Sequence, residues 1–99
     1  MLKHIVLFAY AKPLDSPETA AVDAAFRELP GRIPEVAGFE CGADVSVEGL
    51  AKGYDKAYVL AFADADARDV YFHHPIHQEF VAMAKPLLKD VLVFDYIPD

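Results

Sequence analysis

Residues 4–10 read His-Ile-Val-Leu-Phe-Ala-Tyr. β-Branched and aromatic side chains dominate the run, and Lys12-Pro13 stops it, so it predicts a β-strand. Both alternating faces of this strand are apolar. Such a strand must be covered on both sides, by layers of its own chain or by another molecule. Val91 to Tyr96 (VLVFDY) repeats the pattern at the far end, with Asp95 as its one polar member.

Between these two segments the periodicity changes. Ser16-Pro17-Glu18 places a capping hydroxyl, a proline suited to the first helical position and an acid in the first turn. Val22, Phe26 and Leu29 then recur at helical spacing, with Asp23, Arg27 and Glu28 on the other side, until Pro30-Gly31 ends the pattern. Gly38 to Val45 (GFECGADV) alternates Phe39, Cys41, Ala43 and Val45 against Glu40, Gly42 and Asp44, the period of a half-buried strand. Ser46 to Gly53 is a polar connection. Tyr54 to Ala63 predicts a third strand, with Lys56, Tyr58, Leu60 and Phe62 on one face and Ala57, Val59 and Ala61 on the other. Asp64 or Asp66 can cap a helix through Phe72. His73-His74-Pro75 interrupts it, and Ile76, Phe80 and Met83 resume the helical spacing up to Pro86.

The order is βαββαβ, a ferredoxin-like α+β arrangement over residues 1–99, with helices on one face of a four-stranded antiparallel sheet. The uncovered face predicts a homodimer under two-fold symmetry, with Ile5, Leu7, Ala57, Val59 and Ala61 in the interface. Composition agrees. At 99 residues the chain suits one domain, and a 55% hydrophobic fraction is high for so small a surface-rich fold. A formal net charge of −7 repels a phosphate backbone and excludes nucleic acid as a partner. The single Cys41 has no intramolecular disulfide partner and reads as a core thiol. No segment is long and apolar enough to span a bilayer, and no leader is evident, so a cytoplasmic location is expected.

Three segments, Lys3 to Phe8, Gly53-Tyr54 and Tyr71 to His77 with Phe80, together resemble the stress-responsive A/B-barrel (Dabb) family. Ile33-Pro34 and Val93 to Tyr96 fit it as well. The resemblance implies a dimeric α/β barrel and spans nearly the whole chain. A plant member of that family, olivetolic acid cyclase, closes a linear polyketide by an aldol reaction. Its histidine and tyrosine fall on His77 and Tyr71. Two further histidines of its pocket fall on His4, which matches, and on Lys56, which does not. Some relatives hold a magnesium ion on backbone carbonyls in the turn after the first helix, which correspond to Pro30, Ile33 and Val36. No other cofactor is implied.

An aldol closure needs a base to remove a proton next to a carbonyl and a donor for the developing oxyanion. His77 suits the first role and the phenol of Tyr71 the second, with His4 beside them. Val6, Phe8, Tyr58, Phe62 and Phe80 would complete a pocket for a compact apolar or aromatic carbonyl compound. The alternative is a stress-related structural or binding dimer with no turnover, in which the same side chains pack as core. His73 and His77 stand at the i, i+4 spacing of metal ligands, but Pro75 separates them. His73 and His74 therefore read as solvated or helix-capping, and Lys56 as either a desolvated amine or a snorkelling side chain.

Overall fold

The computed structural model describes all 99 residues. The elements are β1 (Leu2–Tyr10), α1 (Pro17–Arg32), β2 (Gly38–Ala43), β3 (Lys56–Phe62), α2 (Ala65–His73), α3 (Pro75–Ala84), a 3-10 turn (Lys85–Leu87) and β4 (Leu88–Tyr96). The strands form one antiparallel sheet in the order β2-β3-β1-β4. This is the ferredoxin-like α+β layout, a slab 18 Å across its thinnest axis.

The expected caps form. Ser16 accepts from the Thr19 amide, Asp64 from the Ala67 amide, and the His74 ring from the Ile76 amide. His74 thus starts α3 as Pro75 takes the first helical position, which is why the chain breaks there yet stays helical on both sides.

β1 and β4 start earlier than the sequence reading, at Leu2 and Leu88, and β3 is shorter, from Lys56 to Phe62; two further differences have a physical reason. α1 passes through Pro30 and Gly31 to Arg32. Phe26, Leu29 and Ile33 are all buried in the core, and the Ile33 amide still reaches the Leu29 carbonyl, so packing holds the last turn despite the missing proline N–H. β2 stops at Ala43 instead of Val45. The Asp44 carboxylate accepts from the Ser46 amide, a side-chain turn that diverts the chain before Val45 can join the ladder.

The helix-covered face of the sheet holds the core. Phe26 of α1 stacks on Tyr58 of β3 with ring centroids 4.1 Å apart, and Phe8 and Phe80 close round the pair. Cys41 packs half-buried against this cluster. Asp23 does not point to solvent as its helical phase suggested. Its carboxylate accepts from the Lys56 ammonium (2.7 Å), the Tyr58 hydroxyl (2.7 Å) and the Arg27 guanidinium (2.8 Å), while Tyr10 donates to Tyr58 (2.7 Å). This network bolts α1 to β3 and β1.

Burial alone would push the Asp23 carboxyl up, but the hydrogen bonds from Lys56, Tyr58 and Arg27 outweigh it and hold it below the usual carboxylate value. The folded state therefore binds its proton more weakly than the unfolded chain, so its stabilisation is complete above about pH 4 and is lost as pH falls through the lower folded value. Replacing Asp23 with Ala leaves Lys56 and Tyr58 without their acceptor and is expected to cost about 1–3 kcal/mol. Thermal unfolding across pH 2–7 checks this: the variant should melt several degrees lower at neutral pH, with the gap narrowing in acid.

Candidate functional site

His4 stands on the helix side of β1, in register with Leu60 of β3 and Asp95 of β4. Its Nδ1 lies 2.6 Å from one Asp95 carboxylate oxygen, and the other oxygen accepts from Arg68 of α2 at 2.9 Å. A carboxylate can only accept, so His4 Nδ1 is the donor, and Nε2 is left free of protein hydrogen bonds. Arg68 also donates to Asp69, which steadies the guanidinium at the rim.

Tyr71, near the end of α2, is buried against Phe62 and meets the His4 ring edge-on at a centroid distance of 6.0 Å. The His77 ring also packs against it, with centroids 4.4 Å apart. The helix break brings this about: α3 restarts at Pro75, and its first turn folds His77 back over the end of α2. There the Phe72 carbonyl, an acceptor with no helical donor left, lies 3.0 Å from His77 Nδ1 and accepts from the Gln78 side-chain Nε2 at 2.9 Å. That carbonyl makes Nδ1 the donor and leaves Nε2 of His77 free as well.

Burial lowers the His77 pKa from its ordinary value, outweighing the Phe72 carbonyl, with nearby His4 and His74 adding to the depression. The ring is therefore neutral at pH 7. Burial pushes the Tyr71 phenol well above its ordinary value, so it stays protonated. One phenol donor thus sits beside two imidazoles, each anchored at Nδ1.

The three residues singled out in the sequence come together, but the expected pocket wall does not. Val6, Phe8, Tyr58, Phe62 and Phe80 are buried against one another and α1, so they are core. Lys56 is not beside His77 either. It pairs with Asp23, and its strand neighbour in β1 is Phe8, four residues from His4 and so roughly 13 Å along the sheet. Two clefts of about 300 and about 420 Å³ open elsewhere, where the β2–β3 loop meets the strand ends, lined by residues such as Leu50, Lys52 and Tyr54.

Asp95 and Arg68 were missed as site residues. Asp95 did leave a signal, as the one charge in the apolar run Val91 to Tyr96, on the same alternation as Val91 and Val93. At the end of α1, Ile33 and Val36 are buried, and the Ile33 carbonyl accepts from the Val36 amide at 3.1 Å. The Pro30 carbonyl has no helical donor, because the helix ends at Arg32 and Ile33 is extended before Pro34.

The sequence profile of the stress-responsive A/B barrel domain matches residues 2–98. A stress-response A/B barrel domain-containing protein, HS1, of Arabidopsis thaliana is 30% identical over 98% of this chain and 89% of its own length. Among solved structures, a hydroxynitrile lyase from Passiflora edulis superposes with a TM-score of 0.91 at 26% identity, over 99% of this chain and 93% of that one. A protein of unknown function from Thermobifida fusca, described as dimeric and ferredoxin-like, superposes with a TM-score of 0.79 at 32% identity, over 98% and 90%. Fold, element order and the whole-chain match agree, and this chain belongs to the stress-responsive A/B barrel domain family.

Proposed function

We propose that this protein is a homodimer with an acid–base site at His77, Tyr71 and His4 that makes or breaks a carbon–carbon bond at the carbonyl of a compact, mostly apolar compound. The supporting observation is the Tyr71 ring packed against two imidazoles whose Nδ1 atoms are both engaged. In the bond-making direction His77 Nε2 takes the proton next to a carbonyl, the new carbanion attacks a second carbonyl, and Tyr71 donates to the alkoxide oxygen. Polyketide-cyclase-like aldol closure is one case. The cleavage of a hydroxynitrile, suggested by the Passiflora relative, needs the same groups: the base takes the hydroxyl proton, the carbon–carbon pair leaves with cyanide, and the carbonyl remains. Asp95 serves as a positioning residue for His4.

The dimer reading rests on the open face of the sheet. Ile5, Leu7, Ala57 and Val59 are only half-buried there, and Leu92, Phe94 and Tyr96 on the same alternation are exposed. Ala61 contributes little, being already buried against Gly38. The isolated chain exposes 6058 Å², against about 5600 Å² for a compact monomer of its mass. Three relatives of the same fold are described as dimeric.

A binding or structural dimer without turnover is the second reading, favoured by the core packing of Phe8, Tyr58 and Phe80 where a deep pocket had been expected. The cyanohydrin of benzaldehyde separates the two. With turnover, His77→Ala should lower kcat/KM by about 10²–10⁴-fold and Tyr71→Phe by less, both with the fold intact. Because the His77 pKa is lowered, the acid limb of the pH profile should lie below about 6.5. Shift changes in the Tyr71 and His77 signals without turnover would favour binding alone, and neither response would remove the site reading.

The reading also includes a magnesium ion on the carbonyls of Pro30, Ile33 and Val36, supported by the donor-free Pro30 carbonyl. Magnesium should then raise the melting temperature above that in sodium chloride of equal ionic strength. Equal melting curves in the two salts would remove the ion from the account.

A further inference from the structure

The helix layer stops short of β4. α3 leans on α1, where the Phe80 and Phe26 ring centroids are 4.8 Å apart, and its buried stripe, Phe80 and Ala84, faces the core. The next stripe is His77, Val81 and Lys85, at i, i+4 and i+8. It opens on the other flank, toward β1 and β4, because the Tyr71 ring packs on both His77 and His4 of β1. Beneath it, Val91 and Val93 alternate onto the helix side of β4 with Asp95. Val81, Val91 and Val93 stay 39%, 47% and 56% exposed, so this flank is apolar and bare. The pairing of open sheet faces proposed above covers the other side of β4 and does not reach it.

The three valines lead away from the candidate site in one direction. Asp95 pairs with His4, Val93 with Val6 and Val91 with Phe8, so β4 recedes from the site toward Val91. α3 recedes with it, since the turn after Lys85 leads into Leu88, which pairs with Tyr10 at the far end of β1. Four strand residues and eight helical residues each span about 12–13 Å, so the two walls of the strip match in length. Lys85 stands at the far end, exposed and in no ion pair. The strip thus has hydrogen-bonding groups at one end, valines along its length and an unpaired cation at the other. A molecule that fits it has a carbonyl, an apolar chain and an anionic end in that order.

We propose that Val93, Val91 and Val81 hold the chain of a straight-chain oxo acid of about ten carbons, with its carbonyl at the His77–Tyr71–His4 site and its carboxylate at Lys85. This inference rests on the site reading above and gives its apolar carbonyl compound a chain and a charged end.

The test is binding of methyl ketones, which avoid the lysine adducts of aldehydes and need no turnover. With valine methyls and histidine rings isotope-labelled, 9-oxodecanoate should shift Val81, Val91, Val93 and His77 together. It should bind at least about tenfold more tightly than 4-oxopentanoate, whose chain is shorter. Lys85→Glu should weaken 9-oxodecanoate by about two- to fivefold and leave 2-decanone unchanged. Val93→Ser should reduce the gain from chain length. Both positions are exposed, so folding is not at risk. Equal affinity for the two acids, with His77 shifting and the valines silent, overturns the strip and leaves the acid–base site standing. An unchanged affinity of Lys85→Glu for 9-oxodecanoate overturns the charged end and with it the oxo acid. Valine shifts without a His77 shift overturn the link to the site. No His77 response to any of the three ketones overturns the inference, and the cyanohydrin kinetics then decide the site reading separately.

Discussion

The rest of the structure depends on the uneven covering of one sheet. Three helices can cover only one face, and they reach β2, β3 and β1 without covering β4. Strands β1 and β4 are apolar on both sides all the same. The apolar area left over is too contiguous to stand in water for its own sake, since each fully buried Val, Leu or Phe side chain is worth about 1.5–3 kcal/mol. In the proposed homodimer a second copy of the chain supplies the missing cover at no cost in new sequence.

The candidate site sits at the same margin. His4 and Asp95 meet across the β1–β4 pair, and α2 reaches them only through Arg68. Tyr71 and His77 approach from the helix layer, brought together by the break at His74-Pro75. The deep interior, where Phe26 stacks on Tyr58, is packed and bolted by Asp23 and has no room for chemistry. Function is therefore expected at the rim beside β4, where burial is enough to keep Tyr71 protonated and His77 neutral.

Much of this was legible in the sequence, because hydrophobic period and capping are local signals. The order of the elements, the two faces of β3, and the shared neighbourhood of His4, Tyr71 and His77 follow from alternation, helical spacing and family resemblance. What was not legible depends on distant partners. Pro30 read as a helix end, but Leu29 and Ile33 are held by the core and keep the turn. Val45 read as a strand residue, but the Asp44 side chain turns the chain first. Asp23 read as solvent-facing until Lys56 and Tyr58, more than thirty residues away, were placed beside it. The same holds for Asp95, whose role is defined by a residue 91 positions earlier. The pocket expected between sheet and helices was filled by the side chains chosen to line it.

The measurement that bears most directly on this account is light scattering of the wild-type chain and of Phe94→Asp over a dilution series in the micromolar range. The uneven covering of the sheet predicts a wild-type mass of twice the 10.9 kDa chain and, for the variant, dissociation or aggregation, because a charge then stands in the middle of the shared apolar face. A wild-type protein that is monomeric, soluble and fully folded at micromolar concentration would contradict it.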